Sequence, residues 1–224
     1  PNAHNYFSKY GVPKEKIDWI PNGVDLELFS TSNTNMNAKI VVMYLGSMGT
    51  PNGMLTILRA AKILQDRGTN IQFRLIGDGA KKKELEHFAK DNNITSVMFE
   101  HSIPHKYVCK TIREANILVA NVPNRVLYKY GISLNKLYEY LASEKPIALA
   151  CSVVDNPVTL AGVDTVVPAD DAPALAEKIA QLSLMSKESR NTIGKMGREY
   201  VKLNNTFEAL AEKVVACIQK AKCK

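Results

Sequence analysis

Short apolar segments alternate with segments of helical spacing along most of this 224-residue chain, and this alternation is the feature that most limits its fold. The apolar runs have strand length and lie at 39–45, 71–76, 97–99, 116–122, 146–150 and 165–167. Helical spacing occurs between them at 54–65, 81–90, 107–115 and 135–143. Nearly continuous apolar strands suit a parallel sheet covered on both faces, with short right-handed crossovers. We therefore expect an α/β fold with a doubly wound parallel sheet, Rossmann-like in architecture.

The two ends of the chain differ from this alternating middle. A short helix is expected at 2–9, closed by Gly11, and a strand near 16–20. The polar segment 30–38 has the composition of a linker or an exposed loop. Beyond Asp170 the spacing is helical, with helices expected at 174–184, 188–203 and 207–221. These last helices are expected to pack against the sheet.

The composition is that of a globular protein with a basic excess. Hydrophobic residues make up 46% of the chain and charged residues 23%, which excludes a disordered or collagen-like chain. No apolar run approaches the ~18 residues that a membrane span requires. The net charge of +7 favours an anionic partner, which could be nucleic acid, acidic lipid or a phosphorylated small molecule.

The four cysteines give no sign of a structural zinc site or a disulfide framework. No Cys-x-x-Cys pair occurs, and the two closest cysteines, Cys217 and Cys223, have no histidine nearby in the sequence. Reduced thiols in a cytoplasmic protein are therefore expected. The sequence also lacks an Asp-x-Asp pair that could bind a divalent cation.

Two glycine-rich loops are expected at the carboxyl ends of strands, where doubly wound sheets bind their ligands. The first, 46–53, opens a helix, and its glycines allow backbone amides to approach a phosphate. A tight strand-to-helix turn explains the same residues equally well. The second, at 77–79, matches the start of a dinucleotide fingerprint, but Lys82 stands where the third glycine is needed. A P-loop is excluded, because the only Gly-Lys pair, Gly194-Lys195, is followed by methionine.

The segment 131–139 offers the most informative side chains. Ser133 is predicted as a helix N-cap, which places Lys136 in the first turn, where a cation is disfavoured by about 0.3–1 kcal/mol. An anion bound over the helix N-terminus would explain this misfit. Helical spacing puts Asn135, Lys136 and Glu139 on one face, with an amide, a cation for phosphate and a carboxylate for sugar hydroxyls. A solvated Lys–Glu surface pair is the alternative explanation.

Several short motifs also occur in one order along the chain. They are Ile20-Pro21-Asn22-Gly23-Val24-Asp25, Tyr44-Leu45-Gly46, Ile76-Gly77-Asp78-Gly79, and Asn135-Lys136-Leu137-Tyr138-Glu139-Tyr140-Leu141-Ala142 before Lys145-Pro146. Together they resemble the C-terminal, nucleotide-sugar-binding half of the group 1 (family 4) retaining glycosyltransferases with the GT-B fold. The Ser-x-Asn-Lys-Leu-x-Glu-Tyr version is similar to that of bacterial enzymes that build surface polysaccharides from UDP-sugars.

This resemblance implies the donor-binding part of an enzyme. It divides the chain into the end of a preceding domain with an interdomain hinge (1–29), a linker (30–38), and a donor-binding domain with C-terminal helices (39–224). The full-length enzyme would transfer a sugar from a nucleoside-diphosphate sugar, expected to be a UDP-sugar, to a polysaccharide or lipid-linked acceptor with retention. The fragment would be inactive without the N-terminal acceptor domain.

The resemblance further implies that the enzyme needs no metal or other cofactor and has no nucleic-acid partner. A cytoplasmic location is expected. Peripheral association of the full-length enzyme with the inner face of the membrane stays open as an alternative.

The resemblance assigns roles to individual residues. Glu139 matches the second glutamate of the family's Glu-x7-Glu motif, which accepts hydrogen bonds from the donor ribose. Backbone amides near Leu137 would hold the diphosphate, the loop 101–104 would hold the base, and the segment 22–25 matches the interdomain hinge. The expected donor-site residues are Gly46, Ser47, Gly49, Gly77, Ser102, Ile103, Lys129, Gly131, Ser133, Asn135, Lys136, Leu137 and Glu139.

The chain departs from the family pattern at three positions. The first glutamate of Glu-x7-Glu falls at Gly131, and the phosphate-binding Arg and Lys after the first strand fall on Ser47 and Asn52. We expect Lys136 to supply the missing charge and to stabilise the leaving diphosphate, which would be the catalytic contribution of this half. The alternative cations are Lys129 and Arg125.

Other functions fit parts of the sequence. A NAD-binding dehydrogenase or epimerase domain would explain the glycines at 77–79, but the third glycine is missing. A hydrolase nucleophile turn is approximated by Gly131 and Ser133, but Asn135 stands in place of its last glycine. A noncatalytic anion- or nucleic-acid-binding module is indicated by the net charge alone.

Overall fold

Six parallel strands form one sheet in the computed structural model, which describes residues 2–29 and 39–222. The strands follow the order β3-β2-β1-β4-β5-β6, so the winding of the chain reverses between β1 and β4. They are β1 (Ile40–Leu45), β2 (Ile71–Ile76), β3 (Val97–Glu100), β4 (Ile117–Asn121), β5 (Ile147–Ala150) and β6 (Val166–Val167). The expected doubly wound α/β fold is confirmed.

The central strands are apolar because both faces of the sheet are covered. Every residue of β4 and β5 is buried, and so are the four middle residues of β1. Strand β1 is in register with β2 over its full length, from Ile40 opposite Ile71 to Leu45 opposite Ile76. The two strands therefore end at the same level, and the glycine-containing loops that follow them lie side by side.

Helices pack on both faces of the sheet. The α-helices of the described residues are α1 (Ala3–Phe7), α2 (Met54–Asp66), α3 (Lys82–Asp91), α4 (Val108–Ile112), α5 (Asn135–Ala142), α6 (Pro157–Leu160), α7 (Ala172–Leu184), α8 (Lys187–Asn204) and α9 (Phe207–Lys222). Helices α2, α3 and α7 share one apolar core with the sheet, whereas α4, α5 and α6 belong to the core on the opposite face. In the described ranges, no helix is long and apolar enough to cross a membrane.

The C-terminal region is helical, as the spacing beyond Asp170 predicts. Side-chain caps explain where its helices begin: Asp171 Oδ1 accepts from an amide in the first turn of α7, and Ser186 Oγ does so for α8. Asn156 caps α6 in the same way.

The expected strand near 16–20 is wrong. Residues Lys14–Lys16 form a 3-10 helix, and residues 17–20 have no regular secondary structure. Ile17 has extended backbone angles, but the segment pairs with no strand of the described residues, and an unpaired extended segment is not a β-strand. Within the expected helix at 2–9, α1 covers Ala3–Phe7, and a 3-10 helix follows from Ser8 to Tyr10 and ends at Gly11, which has φ +77°. The expected linker at 30–38 lies outside the described residues.

The segment 22–29 packs against the C-terminal helices beside α5. Val24 N donates to Asn205 O at 2.9 Å, and Asn205 Nδ2 donates to Asn22 O at 3.1 Å. The Arg198 guanidinium joins this segment to the end of α5, because its Nη1 donates to both Phe29 O and Ala142 O. These bonds hold residues 22–29 against α8 and the C-terminal end of α5.

The loops after β1 and β2 approach so closely that one position tolerates only glycine. Gly77 has φ +152°, and a Cβ built on it would lie 1.9 Å from the carbonyl oxygen of Gly46. Gly46 N also donates to Ile76 O at 3.0 Å, which joins the two loops directly. Any side chain at position 77 would therefore push the two strand ends apart.

We predict that Gly77→Ala lowers the free energy of unfolding by at least about 3 kcal/mol, because a backbone clash is added to an unfavourable φ. Urea unfolding measures the change. Gly68→Ala is the matched control, since Gly68 has φ +69° but nothing within 4 Å of the added Cβ; it should cost roughly 1–2 kcal/mol. Equal losses in the two variants would contradict the close approach of the loops.

Candidate functional site

A cavity of about 730 Å³ lies where β1, β2 and β3 end and α5 begins. Its volume is in the range of small-molecule and cofactor sites, and its position, beside the reversal in strand order, is where doubly wound sheets bind ligands. The lining residues are Leu45, Gly46, Ser47, Ile76, Gly77, Asp78, Ser102, Ile103, His105, Val108, Ser133, Leu134, Asn135, Lys136 and Glu139. We call this space the main cavity.

Neutral oxygen atoms hold the Lys136 ammonium group at the end of β1. Lys136 Nζ donates to Tyr44 Oη at 2.7 Å and to Asn52 Oδ1 at 2.8 Å, and it lies 4.3 Å from the centre of the Tyr44 ring. Tyr44 Oη and Asn52 Nδ2 both donate to Ser47 O, at 2.6 and 2.8 Å. A Cβ at position 46 would lie 2.9 Å from Nζ, so the glycine leaves the space that the ammonium group occupies. The lysine is thus packed against the loop that follows β1.

This ammonium group is electrostatically under-compensated. Burial lowers the pKa of Lys136 to about 8, and the Glu139 carboxylate opposes that shift only in part. Within residues 2–29 and 39–222, no carboxylate oxygen lies within ion-pair distance of Nζ. A buried cation without a paired anion is stabilised by an anionic ligand that enters the cavity.

Glu139 lies one helical turn beyond Lys136 and lines the same cavity. Its Oε1 lies 2.9 Å from Nε2 of the exposed His105. Its second oxygen, Oε2, has no hydrogen-bond partner in the part of the chain that the structure describes. The carboxylate is therefore oriented by the imidazole and keeps one oxygen for ligand hydroxyl groups.

Tyr140 fixes α5 on the end of β1. Its Oη accepts from Leu45 N at 2.7 Å and donates to Leu45 O at 3.2 Å. The ring is fully buried, and burial raises the pKa of Tyr140 well above its usual range, so it stays a neutral hydrogen-bonding group. This pair of bonds sets the height at which α5 begins, and hence the position of Lys136.

The predicted cap at Ser133 is wrong. The N-cap of α5 is Leu134, which has no side-chain oxygen, and Ser133 instead uses its carbonyl to accept from Asn22 Nδ2 at 3.2 Å. The amides of Asn135 and Lys136 consequently have no acceptor among the described residues. Two free amides at a helix N-terminus add to the positive potential of the cavity.

Asp78 ties the loop after β2 to the loop after β3. Its Oδ2 accepts from Ser102 N at 2.7 Å, and its Oδ1 lies 3.0 Å from Lys82 Nζ and 3.3 Å from His101 Nδ1. Hydrogen bonds from Ser102, followed by that from Lys82, hold the pKa of Asp78 well below its usual range. The carboxylate therefore stays ionised and keeps the loop 101–104 in place at neutral pH.

The main cavity brings together most of the residues that the sequence predicts for the site. Those that line it are Gly46, Ser47, Gly77, Ser102, Ile103, Ser133, Asn135, Lys136 and Glu139. Gly49 and Gly131 do not line it. Leu137 is buried in the core, and its amide donates to Leu134 O at 3.0 Å, so it is not available to a diphosphate.

The alternative cations are also displaced from the main cavity. Arg125 and Lys129 line a second cavity of about 560 Å³ between the loops that follow β4 and β5. Arg125 Nη2 donates to Thr50 O at 3.2 Å, and Lys129 Nζ lies 5.2 Å from the Tyr130 ring. The expectation that either of them supplies charge to the site is therefore not supported by their positions, whereas Lys136 is in place.

Sequence reasoning missed the residues that hold the site together. Tyr44 lies inside an apolar strand pattern, and the role of Asn52 as an acceptor for Lys136 depends on a contact across 84 positions of sequence. His105 has no motif around it that indicates contact with Glu139. These partners are set by tertiary packing, which no local pattern reports.

The cavity holds no evident metal site. Among the described residues, no group of three or more His, Cys, Asp or Glu side chains could hold a metal ion. The fold and cavity define an α/β domain with an anion-accepting crevice, formed from an unpaired lysine, free helix amides and a half-buried carboxylate.

Comparison with known proteins identifies the family. The model of the family described as glycosyl transferases group 1 matches residues 39–184. The chain belongs to this family. The putative colanic acid biosynthesis glycosyltransferase WcaL of Escherichia coli (strain K12) is 22% identical over 215 residues, which cover 94% of this chain and 53% of the relative. The chain thus spans about half the length of this curated relative.

Solved structures share the fold. A mutant of S. aureus TarM in complex with fondaparinux, alpha-GlcNAc-glycerol and UDP matches with a TM-score of 0.78 at 15% identity, over 96% of this chain and 41% of that one. Anabaena HepE in complex with UDP and glucose matches with a TM-score of 0.78 at 14% identity, over 97% of this chain and 60% of that one. These likenesses confirm the α/β fold expected from the resemblance to GT-B enzymes.

We predict that a lysine NMR titration of the free chain gives a pKa near 8 for Lys136, because its charged form is desolvated. Burial also lowers the pKa of Lys145, which lies between α5 and β5, to about 8, so two such signals are expected from the described residues. Lys136→Met should remove one of them and leave the other. A Lys136 signal that titrates above 10 would contradict the buried position of its ammonium group.

Proposed function

We propose that this chain is the donor-binding domain of a retaining glycosyltransferase that uses a nucleoside-diphosphate sugar, with UDP as the nucleotide. The enzyme transfers the sugar to a polysaccharide or lipid-linked acceptor. Membership of the group 1 glycosyl transferases supports the class of reaction and disfavours a NAD-dependent dehydrogenase. The donor nucleotide, the retention and the acceptor are the parts of this proposal that go beyond family membership.

One observation carries the proposal: Lys136 and Glu139 line the same cavity. Among the described residues, the Lys136 ammonium group has no carboxylate partner and Glu139 Oε2 has no hydrogen-bond donor. A diphosphate needs positive charge and amide donors, which Lys136 and the first amides of α5 supply. A ribose offers vicinal hydroxyls, which a carboxylate oxygen accepts. The loop of Ser102 and Ile103 closes the cavity where the base would lie.

The comparisons support the choice of donor. TarM and HepE were both solved with UDP, and HepE with glucose as well. The name of WcaL refers to colanic acid, a polysaccharide. For this chain, UDP and a polysaccharide or lipid-linked acceptor follow from these likenesses as proposals.

The domain's catalytic contribution is to stabilise the leaving group. When the bond between the sugar and the diphosphate oxygen breaks, negative charge accumulates on the diphosphate. The Lys136 ammonium group and the free amides of Asn135 and Lys136 belong to residues that line the cavity before a ligand binds, so in this proposal little reorganisation is needed at the moment of reaction. In this proposal the charge is neutralised by these groups, without a metal cofactor.

Acceptor recognition is proposed to lie in the part of the relatives that this chain does not match, since the chain spans about half of WcaL. The retained configuration would follow from attack by the acceptor hydroxyl on the face that the diphosphate leaves. In this proposal the domain functions in the cytoplasm, where nucleotide-sugars are used, with the full-length enzyme at the inner face of the membrane when its acceptor is lipid-linked.

We predict that Glu139→Gln weakens UDP binding at least tenfold, because one charge-assisted hydrogen bond contributes about 1.5–3 kcal/mol. Calorimetric titration of the chain with UDP measures the loss. Glu208→Gln on α9 removes the same charge at an exposed position outside the cavity and should bind UDP as the wild type does. Equal UDP affinity of the two variants would contradict the ribose contact.

We predict that UDP affinity falls as the pH rises from 8 to 9. Below its pKa of about 8, Lys136 is already charged, so affinity is insensitive to this group; above it, binding of the anion must be accompanied by proton uptake. In Lys136→Met the affinity should be at least about tenfold lower and the alkaline fall should vanish. Lys195→Met, on the exposed side of α8, should keep both the affinity and the fall. An alkaline fall that survives in Lys136→Met would assign it to another group.

A further inference from the structure

Two loops that line the main cavity, those after β2 and β3, are joined through one mostly buried lysine outside it. Lys82 Nζ donates to Gly77 O at 3.0 Å, to Asp78 Oδ1 at 3.0 Å and to Glu100 O at 2.8 Å. Gly77 and Asp78 belong to the loop after β2, and Glu100 is the last residue of β3. All three hydrogens of the ammonium group are therefore used to bridge neighbouring strand ends.

Asp78 connects Lys82 to the wall of the main cavity. Asp78 Oδ1 accepts from Lys82 Nζ, and Asp78 Oδ2 accepts from Ser102 N at 2.7 Å. One carboxylate therefore links the lysine to the backbone of the loop that follows β3. The carbonyl of Asp78 also accepts from Met48 N at 2.9 Å, which adds the loop after β1. The position of Ser102 and of its neighbour Ile103 thus depends on the rotamer of Asp78.

Lys82 itself has no place in the cavity. Its side chain is 12% exposed, and it does not line the cavity, whereas Asp78, Ser102 and Ile103 do. Its amino group donates to acceptors at the ends of β2 and β3 rather than into the main cavity. Any effect of Lys82 on ligand binding therefore has to pass through Asp78 and the loop 101–104.

We propose that Lys82 is a positioning residue for the nucleobase end of the main cavity, acting through Asp78 on the backbone of Ser102 and Ile103. This inference rests on the proposed function, in which that loop holds the base of the donor. Without Lys82, the partner left to Asp78 Oδ1 among the described residues is the exposed His101 imidazole at 3.3 Å, so the rotamer of Asp78 is held less firmly and the Ser102 amide loses a fixed acceptor. The diphosphate end of the cavity, formed by Lys136 and the first turn of α5, has its own supports in Tyr44, Asn52 and Tyr140.

The two ends of the cavity can therefore be separated by experiment. Lys82→Met keeps the length of the side chain and removes its three hydrogen bonds. Lys83→Met is the matched control, because Lys83 lies on the same helix, is exposed, and its removal changes the net charge equally. The wild type and both variants are titrated with two ligands. UDP reports on the whole cavity, and inorganic diphosphate reports on its diphosphate end alone.

In Lys82→Met we expect UDP affinity to fall about tenfold while the affinity for inorganic diphosphate changes less than about twofold. Lys83→Met should leave both affinities unchanged. Amide hydrogen exchange of the free chain gives a second readout that needs no ligand. Exchange at Ser102 and Ile103 should become about tenfold faster in Lys82→Met, while exchange at Leu137 in α5 stays as in the wild type.

Three results would overturn the proposal. If the Lys82→Met variant loses affinity for UDP and for diphosphate equally, and amide exchange accelerates throughout the chain, Lys82 contributes only to general stability. If the wild type binds UDP and the Lys82→Met variant binds it equally well, or if amide exchange at Ser102 is unchanged in the variant, the positioning role fails while the proposed function stands. If the wild type binds neither UDP nor diphosphate, the proposed function fails and this inference fails with it.

Discussion

A buried ammonium group at the end of the first strand is the constraint to which the rest of the site is fitted. Removing a charge from water costs several kcal/mol unless polar groups replace the lost hydration. For Lys136 these groups are the Tyr44 hydroxyl, the Asn52 amide oxygen and the face of the Tyr44 ring. All are neutral, so they solvate the charge without cancelling it. The resulting positive field can attract a diphosphate, which a Lys–carboxylate ion pair would not.

The geometry that maintains this charge also constrains the fold. Tyr140 fixes α5 to both backbone groups of Leu45, so the lysine reaches the loop after β1 at a set height. Gly77 permits the loops after β1 and β2 to touch, and Asp78 carries the contact on to the loop after β3. Stability and binding therefore depend on the same strand ends, and a change in one of these loops shifts the loops that contact it.

Much of the fold could be predicted from the sequence, because apolar periodicity reports burial directly. The strands β1, β2, β4 and β5 and the helix of Lys136 and Glu139 are found where the pattern places them. The strand at 16–20 fails because an extended segment also needs a pairing partner. The cap at Ser133 fails because the N-cap lies one residue later, at Leu134, and α5 begins at Asn135.

The site was predictable for side chains that share one helix face, and for the loop residues that strand ends or the family resemblance indicated, such as Gly46, Gly77 and Ser102. Asn135, Lys136 and Glu139 are brought together by local spacing alone. The placement of Lys129 and Arg125 could not be derived, because it depends on which way the loop after β4 runs. The supports at Tyr44, Asn52, His105 and Lys82 come from separate elements, and their contacts follow from strand register and helix docking rather than from any local motif.

The central claim is that Lys136 binds the diphosphate as an uncompensated cation whose pKa the ligand raises. Calorimetry of UDP binding at pH 8.5, in buffers of different ionisation enthalpy, tests this claim most directly because it counts the protons taken up. With a pKa near 8 in the free chain, about three-quarters of the Lys136 side chains are neutral at pH 8.5, so the account predicts an uptake of about 0.75 proton per UDP in the wild type and none in Lys136→Met. Binding of UDP to the wild type with no proton uptake would contradict the account.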